Sequence, residues 1–374
     1  MKFTIPSAAS FLWLSLLVGL TTRYRDGLAA AASASNPQLD LLTPDVKALV
    51  SQIAALRATN EEQHADLWRR LGKTQLDARE YGEARRIFCR GSELCPSDEK
   101  LRHHVKVYDT FQGEAEFLEE TSSTGNSVVP QPLEIKPTVA GKPDLILSLD
   151  VPREAIPLAI KRWKGKIPPE DRCRLIHAST EPILSRDACQ YLIQSALETV
   201  KHRGWTKDRH VQAPTCDIPV FDLPVAAKQW CRHAMKQSLL PLLATTVAPE
   251  LDIDPNDLHI QDCFIVRYDG GGEESGPGFD SLRPHEDESL LSLTIALNDQ
   301  SEYNGGGLYI HSTGDLLNGD AGTVLCFAGQ LVHGGYPVVQ GTRWILTVFL
   351  YVDANESGKP VGYTLDALQA LQQK

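Results

Sequence analysis

The stretch PHEDESLLSLTIALN, residues 284–298, decides the fold. From residue 289 to residue 298 apolar and polar side chains alternate, which is the period of a half-buried β-strand. One face of this predicted strand carries Leu291, Leu293, Ile295 and Leu297. Just before the strand, His285 and Asp287 lie two positions apart, so an extended backbone turns both side chains to the same face. The stretch therefore predicts a strand with two candidate metal ligands at its start.

Further strands surround this one from about residue 260 onward. Two more β-rich runs are Thr323–Phe327 and Arg343–Val352, and glycine-rich turns are expected between strands at residues 270–272, 305–307 and 334–335. No helical segment long enough for a parallel crossover intervenes, so the sheet should be mainly antiparallel. The pattern predicts a sandwich or jelly-roll barrel, in an α+β chain.

Residues 45–119 are predicted to be helical, and one stretch within them has the spacing of a tetratricopeptide repeat. The residues that carry this spacing are Trp68, Leu71, Gly72, Ala84, Phe88 and Pro96. A single repeat cannot bury its own apolar face, so segments 45–60 and 98–118 are expected to supply flanking helices. The interpretation is a small TPR-like region over residues 40–119 that could hold a peptide or a partner; a plain helical hairpin is the alternative.

Composition divides the rest of the chain. Serine, glycine and scattered prolines over residues 120–172 predict a linker. The β-rich domain is expected over residues 173–354 and a short tail over residues 355–374.

Residues 1–35 resemble a signal peptide or a signal-anchor. The apolar run at residues 8–20 is shorter than the roughly 20 residues that span a bilayer. Ala32-Ser33-Ala34 offers a cleavage site, but the charged residues Arg23 and Arg25 intervene. The prediction is entry to the secretory pathway, in the lumen or membrane of the endoplasmic reticulum, with membrane contact only through a possible anchor. An organellar transit peptide is the alternative.

The overall balance of charge excludes some function classes. The chain has 374 residues and a formal net charge of −11 at pH 7, so nucleic acid is not expected as a partner. Its eight cysteines form no CxxC pair, which argues against a zinc ribbon. Both disulfides and buried thiols stay open from the sequence.

Four residues form a constellation with chemical meaning. His285 and Asp287 precede the alternating strand, and His333 follows the β-run at residues 323–327. Two imidazoles and one carboxylate make the facial triad that holds Fe(II) and leaves positions open for cosubstrate and O₂. Arg343 comes ten residues after His333 on an apolar strand, where a buried guanidinium requires an anionic partner such as a carboxylate.

In these motifs the sequence resembles the Fe(II)/2-oxoglutarate-dependent oxygenases of the prolyl/lysyl hydroxylase group, and most closely the catalytic domain of procollagen lysyl hydroxylases. The resemblance covers roughly residues 175–353. The stretches that carry it are Ala213–Pro219, Phe264–Tyr268, Ser281–Ser289, Tyr303–Gly307 and Gly341–Ile345.

The resemblance implies a double-stranded β-helix with Fe(II) at His285, Asp287 and His333, and no catalytic residue beyond this metal site. It also implies that 2-oxoglutarate chelates the iron and pairs its far carboxylate with Arg343, while ascorbate keeps the iron reduced. Tyr268 matches a tyrosine of the cosubstrate pocket, and Thr347, on the same strand face as Arg343, is a candidate extra donor.

The implied reaction is hydroxylation of a lysine or proline side chain in a protein substrate, with release of succinate and CO₂. The sequence does not decide between lysine and proline. A catalytically inactive β-helix/TPR binding module and an oxygenase acting on a small molecule also stay open. A nucleic-acid dealkylase is disfavoured by the net charge and by Phe349, which stands where such enzymes usually carry a second arginine.

Overall fold

The structure, a computed structural model, describes most of the chain from residue 37 onward. The described residues are 37–56, 61–78, 80–111, 146–152, 154, 172–210, 213–251, 253–271, 278–352 and 362–373. The expected leader, residues 1–35, lies outside them. In the part of the chain that the structure describes, no helix combines the length and the apolar character that crossing a membrane requires.

A group of helices forms the N-terminal part. They are α1 (Pro37–Asp40), α2 (Pro44–Ala55), α3 (Glu61–Asp77), α4 (Tyr81–Leu94) and α5 (Glu99–Phe111). Pro44 suits the first turn of α2, because a helix leaves that N–H unpaired in any case, and the Thr43 hydroxyl caps the turn by accepting from Val46 N–H. Trp68 and Leu71 of α3 are buried with Ala84 and Phe88 of α4, so the apolar positions expected to join two helices do form one core.

Two antiparallel sheets form the C-terminal part. Their strands are β1 (Ile146–Pro152), β2 (Arg172–Ser179), β3 (Asp217–Pro219), β4 (Leu258–Asp269), β5 (Leu282–His285), β6 (Leu291–Ala296), β7 (Tyr303–Gly305), β8 (Leu308–Ile310), β9 (Asp315–Leu317), β10 (Val324–Ala328), β11 (His333–Gly335) and β12 (Val338–Val352). The main sheet runs β1-β2-β10-β6-β12-β4-β3, with β7 also paired to β12, and the smaller sheet runs β5-β11-β8-β9. The expectation of a mainly antiparallel domain combined with helices is confirmed.

Further helices lie between the strands and after them in the chain. They are α6 (Arg186–Arg203), α7 (Val225–Ala234), α8 (Leu240–Glu250) and, at the C-terminal end, α9 (Tyr363–Gln372). On β6, Leu291, Leu293 and Ile295 are buried in the larger apolar core, which also includes residues of these helices. The intervening Ser292 and Thr294 therefore occupy the opposite face of the strand.

Two local expectations are wrong. Strand β1 lies inside the segment expected to be a linker, because the run Ile-Leu-Ser-Leu-Asp-Val at residues 146–151 pairs antiparallel with β2. The glycines at positions 334 and 335 belong to strand β11 rather than to a turn. Their lack of a Cβ serves close strand packing, since a Cβ on Gly334 would lie 2.7 Å from Leu282 O.

Five cysteines of the described part are thiols in no disulfide: Cys189, Cys216, Cys231, Cys263 and Cys326. All five are buried. Burial raises the pKa of the Cys189 and Cys231 thiols to about 12, so these two cysteines are protonated core side chains.

The helical part packs directly on the sheet domain. Helix α5 contacts β4 and α7, and α9 packs against α1, α2 and α4. Glu83 of α4, whose side chain is buried, accepts hydrogen bonds from the N–H groups of Gly362 (3.0 Å) and Thr364 (2.8 Å) at the start of α9. A carboxylate from one helix thus caps another helix that follows the β-domain in the chain.

Replacing Glu83 with alanine should destabilise the protein by about 1–3 kcal/mol, because two N–H groups of α9 lose their acceptor. Urea unfolding followed by circular dichroism measures the change. Glu93→Ala, which removes an exposed partner of Arg90 on the same helix, is the matched control and should change stability by less than about 0.5 kcal/mol. Equal effects of the two substitutions would contradict the capping role.

Candidate metal centre

The pairing of β5 with β11 brings two histidines together. His333 is the direct cross-strand partner of His285, and the two ring centroids lie 4.4 Å apart. Side chains that face each other across an antiparallel pair are close neighbours, so the register of this strand pair sets the separation of the imidazoles.

Asp287 completes the group from the loop after β5. Its backbone N–H donates to Gly329 O at 2.7 Å, which holds the loop against the end of β10. Asp287 Oδ1 lies 3.2 Å from His285 Nε2, and Asp287 Oδ2 lies 3.4 Å from His333 Nε2. One ligand atom from each of these three residues can be chosen so that all lie within 4.8 Å of one another.

Backbone carbonyls orient both imidazole rings. His285 Nδ1 lies 2.9 Å from Arg283 O, and His333 Nδ1 lies 2.8 Å from Leu331 O. A carbonyl oxygen only accepts, so each Nδ1 carries the proton and each Nε2 keeps its lone pair for a metal. Two neutral imidazoles and one carboxylate that converge in this way fit the donor set of Fe(II).

The pKa shifts of Asp287 and His333 agree with this assignment, whereas the pKa of His285 shifts in the opposite direction. Burial would raise the pKa of Asp287, but the neighbouring His333 and His285 hold that pKa below its usual range. Burial lowers the pKa of His333, an effect that the Asp287 charge opposes without reversing it. For His285 burial also acts to lower the pKa, yet the hydrogen bond with Asp287 outweighs it and the pKa is raised.

Two further side chains support the three candidate ligands, and the sequence analysis does not identify them. The Ser292 hydroxyl donates to Asp287 Oδ2 and pairs with Ser289 Oγ at 2.7 Å. The ring of Phe327 packs edge-on against His333, with centroids 4.5 Å apart. The signal for Ser292 was present, since it occupies the polar face of the alternating strand five residues after Asp287.

Arg343 lies on β12, buried, with 4% of its surface exposed. Among the described residues no acceptor pairs with Arg343 Nε, which is itself buried. The amide of Asn298 clamps the strand on both sides of Arg343, donating to Thr342 O at 2.9 Å and accepting from Trp344 N–H at 2.8 Å. An orphaned buried guanidinium N–H that is held in place in this way fits an anionic ligand such as a carboxylate.

Tyr268 and Thr347 lie on the same part of the sheet as Arg343. Tyr268 of β4 is the cross-strand partner of Arg343, whose guanidinium carbon lies 5.7 Å from the tyrosine ring centroid. Burial raises the pKa of Tyr268 to about 12, and the Arg343 charge opposes this. Thr347 is also buried, opposite Phe264 of β4 and Thr294 of β6.

A second apolar cluster surrounds these residues. It comprises Phe264, Val266, Tyr268, Tyr303, Val338 and Ile345, with Leu282 and Phe349 packed against it. Leu282 belongs to β5, so the cluster joins both sheets. We use the word chamber for the region where these two sheet faces meet, with Arg343 on β12 of one sheet and His285 and His333 on β5 and β11 of the other.

Removing the Ser292 hydroxyl should weaken Fe(II) binding roughly tenfold or more, because Asp287 loses the donor that orients it. Anaerobic equilibrium dialysis of Ser292→Ala against the unchanged protein measures the affinity. Ser195→Ala, which removes a buried hydroxyl bonded to Tyr191 O on α6, is the control and should bind iron normally. Normal iron affinity in Ser292→Ala would show that this hydrogen bond does not support the centre.

Comparison with known proteins places these residues in a family context. Residues 263–351 match the model of the 2OG-Fe(II) oxygenase superfamily. A multifunctional procollagen lysine hydroxylase and glycosyltransferase of Rattus norvegicus is 28% identical over 182 residues, which cover 45% of this chain and 22% of that protein. A protein of the same name from Caenorhabditis elegans is 38% identical over 91 residues, covering 23% of this chain and 12% of that protein. The chain thus spans under a quarter of the length of these relatives.

Solved structures with some likeness include two prolyl hydroxylases. The viral collagen prolyl hydroxylase of Paramecium Bursaria Chlorella virus-1 has a TM-score of 0.34 at 15% identity, over 48% of this chain and 96% of that chain. The prolyl-4-hydroxylase of Pseudomonas putida has a TM-score of 0.36 at 15% identity, over 48% and 93% of the two chains. The superfamily match and the lysine hydroxylase relatives confirm the resemblance that the sequence motifs indicated: the chain resembles a 2OG-Fe(II) oxygenase, close to the procollagen lysine hydroxylases.

Proposed function

We propose that this protein is an Fe(II)/2-oxoglutarate-dependent dioxygenase that hydroxylates a lysine or proline side chain in a protein substrate. The observation that carries the proposal is the convergence of His285 Nε2, His333 Nε2 and the Asp287 carboxylate in a chamber that also contains Arg343. Each imidazole is oriented through its other nitrogen, which is how metal-binding histidines are held in proteins.

In this proposal His285, Asp287 and His333 would hold Fe(II). Fe(II) and 2-oxoglutarate, when bound, would let O₂ act as the oxidant: one oxygen atom would enter succinate as CO₂ leaves 2-oxoglutarate, and the other would enter the C–H bond of the substrate. Asp287 contributes the one negative charge among the ligands, and Ser292 keeps that carboxylate turned toward the imidazoles.

Arg343 takes the far carboxylate of 2-oxoglutarate, because its planar fork matches a carboxylate and its buried Nε lacks an acceptor in the described chain. Tyr268 remains protonated at neutral pH, since burial raises its pKa to about 12, and it offers a hydroxyl donor beside the arginine. Thr347 offers a second hydroxyl from β12, the strand that carries Arg343. The apolar cluster around them keeps water out, which strengthens each of these polar contacts.

The substrate and the setting are further parts of the proposal. The procollagen lysine hydroxylase relatives support a protein substrate with lysine as one candidate, and the sequence motifs leave proline as the other. Ascorbate is proposed as the reductant that keeps the iron in its ferrous state. The apolar run at residues 8–20 supports the secretory pathway, and the TPR-like region, residues 40–119, supports a role in holding the substrate.

Asp287→Asn should abolish 2-oxoglutarate turnover, reducing succinate release at least about 100-fold, because the centre loses its anionic ligand. Succinate is measured with Fe(II), 2-oxoglutarate and ascorbate, alone and with collagen-like peptides that contain lysine or proline. Asp315→Asn in the exposed start of β9 is the control. No turnover by the unchanged protein, although it binds iron, would favour the inactive binding module over the enzyme.

Arg343→Lys should raise the KM for 2-oxoglutarate by about 10–100-fold, the loss expected when a charge-assisted bidentate pair is replaced by a single contact. Initial rates of succinate release at varied 2-oxoglutarate measure the KM. Arg267→Lys is the matched control, because Arg267 lies one residue from Tyr268 on β4 and instead contacts Asp269 and the rings of Trp205 and Trp344. An unchanged KM in Arg343→Lys would contradict the assigned role.

A further inference from the structure

Helix α5 of the N-terminal helical group places a histidine against the oxygenase-like domain. His103 Nε2 lies 3.5 Å from Asp262 Oδ2 on β4. The His103 ring also packs edge-on against Phe221, with centroids 5.1 Å apart. The next residue, His104, instead stacks on Phe88 within the helical group, with centroids 3.7 Å apart. His103 is therefore a side chain of the helical group that contacts a charged residue of the β-domain.

Asp262 lies at the centre of a buried charge cluster. It occupies β4 opposite Phe349 of β12, and its Oδ1 accepts from Cys263 N–H at 2.8 Å. Its Oδ2 accepts from Arg209 Nη2 at 2.9 Å, the same oxygen that faces His103. Arg209 of the β-domain and His103 of the helical group therefore both contact the same carboxylate oxygen of Asp262.

Arg209 connects this cluster to a second carboxylate. Arg209 Nε lies 2.9 Å from Asp217 Oδ1, and the guanidinium carbon lies 4.8 Å from the centroid of the Phe264 ring. Among the described residues both Arg209 Nη1 and Arg209 Nε are buried without an acceptor in hydrogen-bond geometry, and only Nε lies at ion-pair distance from a carboxylate. Arg209 Nη2 also lies 3.0 Å from His210 Nε2. Two carboxylates face one guanidinium, so the charge of Arg209 is already balanced and its spare N–H suits a neutral acceptor better than a further anion.

The charge cluster around Asp262 and Arg209 borders the chamber. Phe264 is the cross-strand partner of Thr347, and Phe349 lies two residues further along β12. His210 packs against both rings, with centroids 4.8 Å from Phe264 and 6.3 Å from Phe349. Burial, reinforced by the Arg209 charge, lowers the pKa of His210 to about 4, and the charge of Asp287 also acts on this histidine. His210 is therefore neutral, and its ring packs on two aromatic residues that belong to the chamber.

We infer that His103 is a positioning residue for the chamber: it fixes Asp262, which orients Arg209 so that Nη1 can bind a carbonyl oxygen of a peptide substrate. This inference rests on the proposed function for the identity of the substrate. The contact between His103 and Asp262 would make the helical group part of the substrate site. This role is separate from any surface that the helical group offers to a partner. Without His103 the Asp262 carboxylate keeps two of its three donors, and its Oδ2 keeps only Arg209, so this oxygen can move together with the guanidinium.

The deciding measurement is water exchange of the Arg209 Nε–H, observed by NMR in the full chain labelled with ¹⁵N-arginine and assigned with Arg209→Lys. His103→Ala should accelerate this exchange at least about tenfold, and His103→Gln, which keeps an N–H donor at similar reach, should restore it to within about twofold. Lys106→Ala removes an exposed cation one turn along the same helix, near Phe221, and should leave Arg209 unchanged.

The Arg267 Nε–H serves as an internal control, because it is bonded to Asp269 and lies outside the cluster. Unchanged Arg209 exchange in His103→Ala, or equal acceleration at Arg267, would overturn the inference, since the second result indicates general loosening. Succinate release is measured on the same samples. An Arg209 response without any turnover by the unchanged chain would contradict the proposed function and leave the network standing, whereas turnover without an Arg209 response would do the reverse.

Discussion

The close pairing of β5 with β11 is the constraint on which the site depends. His285 and His333 are cross-strand partners, so a shift of one residue would turn one imidazole to the opposite face of its strand. Gly334 allows the two backbones to approach, because a side chain there would collide with Leu282 O. The loop that carries Asp287 is then held by its bond to Gly329, and the three ligands converge without further adjustment.

The opposite end of the chamber depends on a different kind of constraint. A buried guanidinium is tolerated only where the surroundings hold it and an anion can reach it. Asn298 fixes the backbone around Arg343, while Tyr268 lies beside its charge. Strand register thus positions the candidate metal ligands, and a side-chain clamp positions Arg343. Strand β6 connects the two ends, because its polar face contributes Ser292 near the ligands and the chain leads from its end to Asn298.

Much of this arrangement could be predicted from the sequence. The alternation at residues 289–298 predicts the strand β6, and the sequence motifs predict that His285, Asp287 and His333 converge, which they do within 4.8 Å. The role of Arg343 stays a prediction. Local patterns are less informative where the structure depends on a partner strand. They predict a linker where β1 lies and a turn at Gly334, because pairing across the sheet is not encoded in neighbouring residues. Asn298 and His103 were missed for the same reason, since their contacts lie far away in sequence.

The central claim is that one ligand is bound between the three metal ligands and Arg343. Calorimetry on the protein loaded with Mn(II), a redox-inert substitute for Fe(II), compares 2-oxoglutarate with 2-oxobutyrate, which keeps the keto acid but lacks the far carboxylate. The account predicts that the unchanged protein prefers 2-oxoglutarate by about tenfold or more, and that Arg343→Gln reduces the preference to about twofold or less, because the carboxylate and Arg343 are energetically coupled. An equal preference in both proteins would contradict the account.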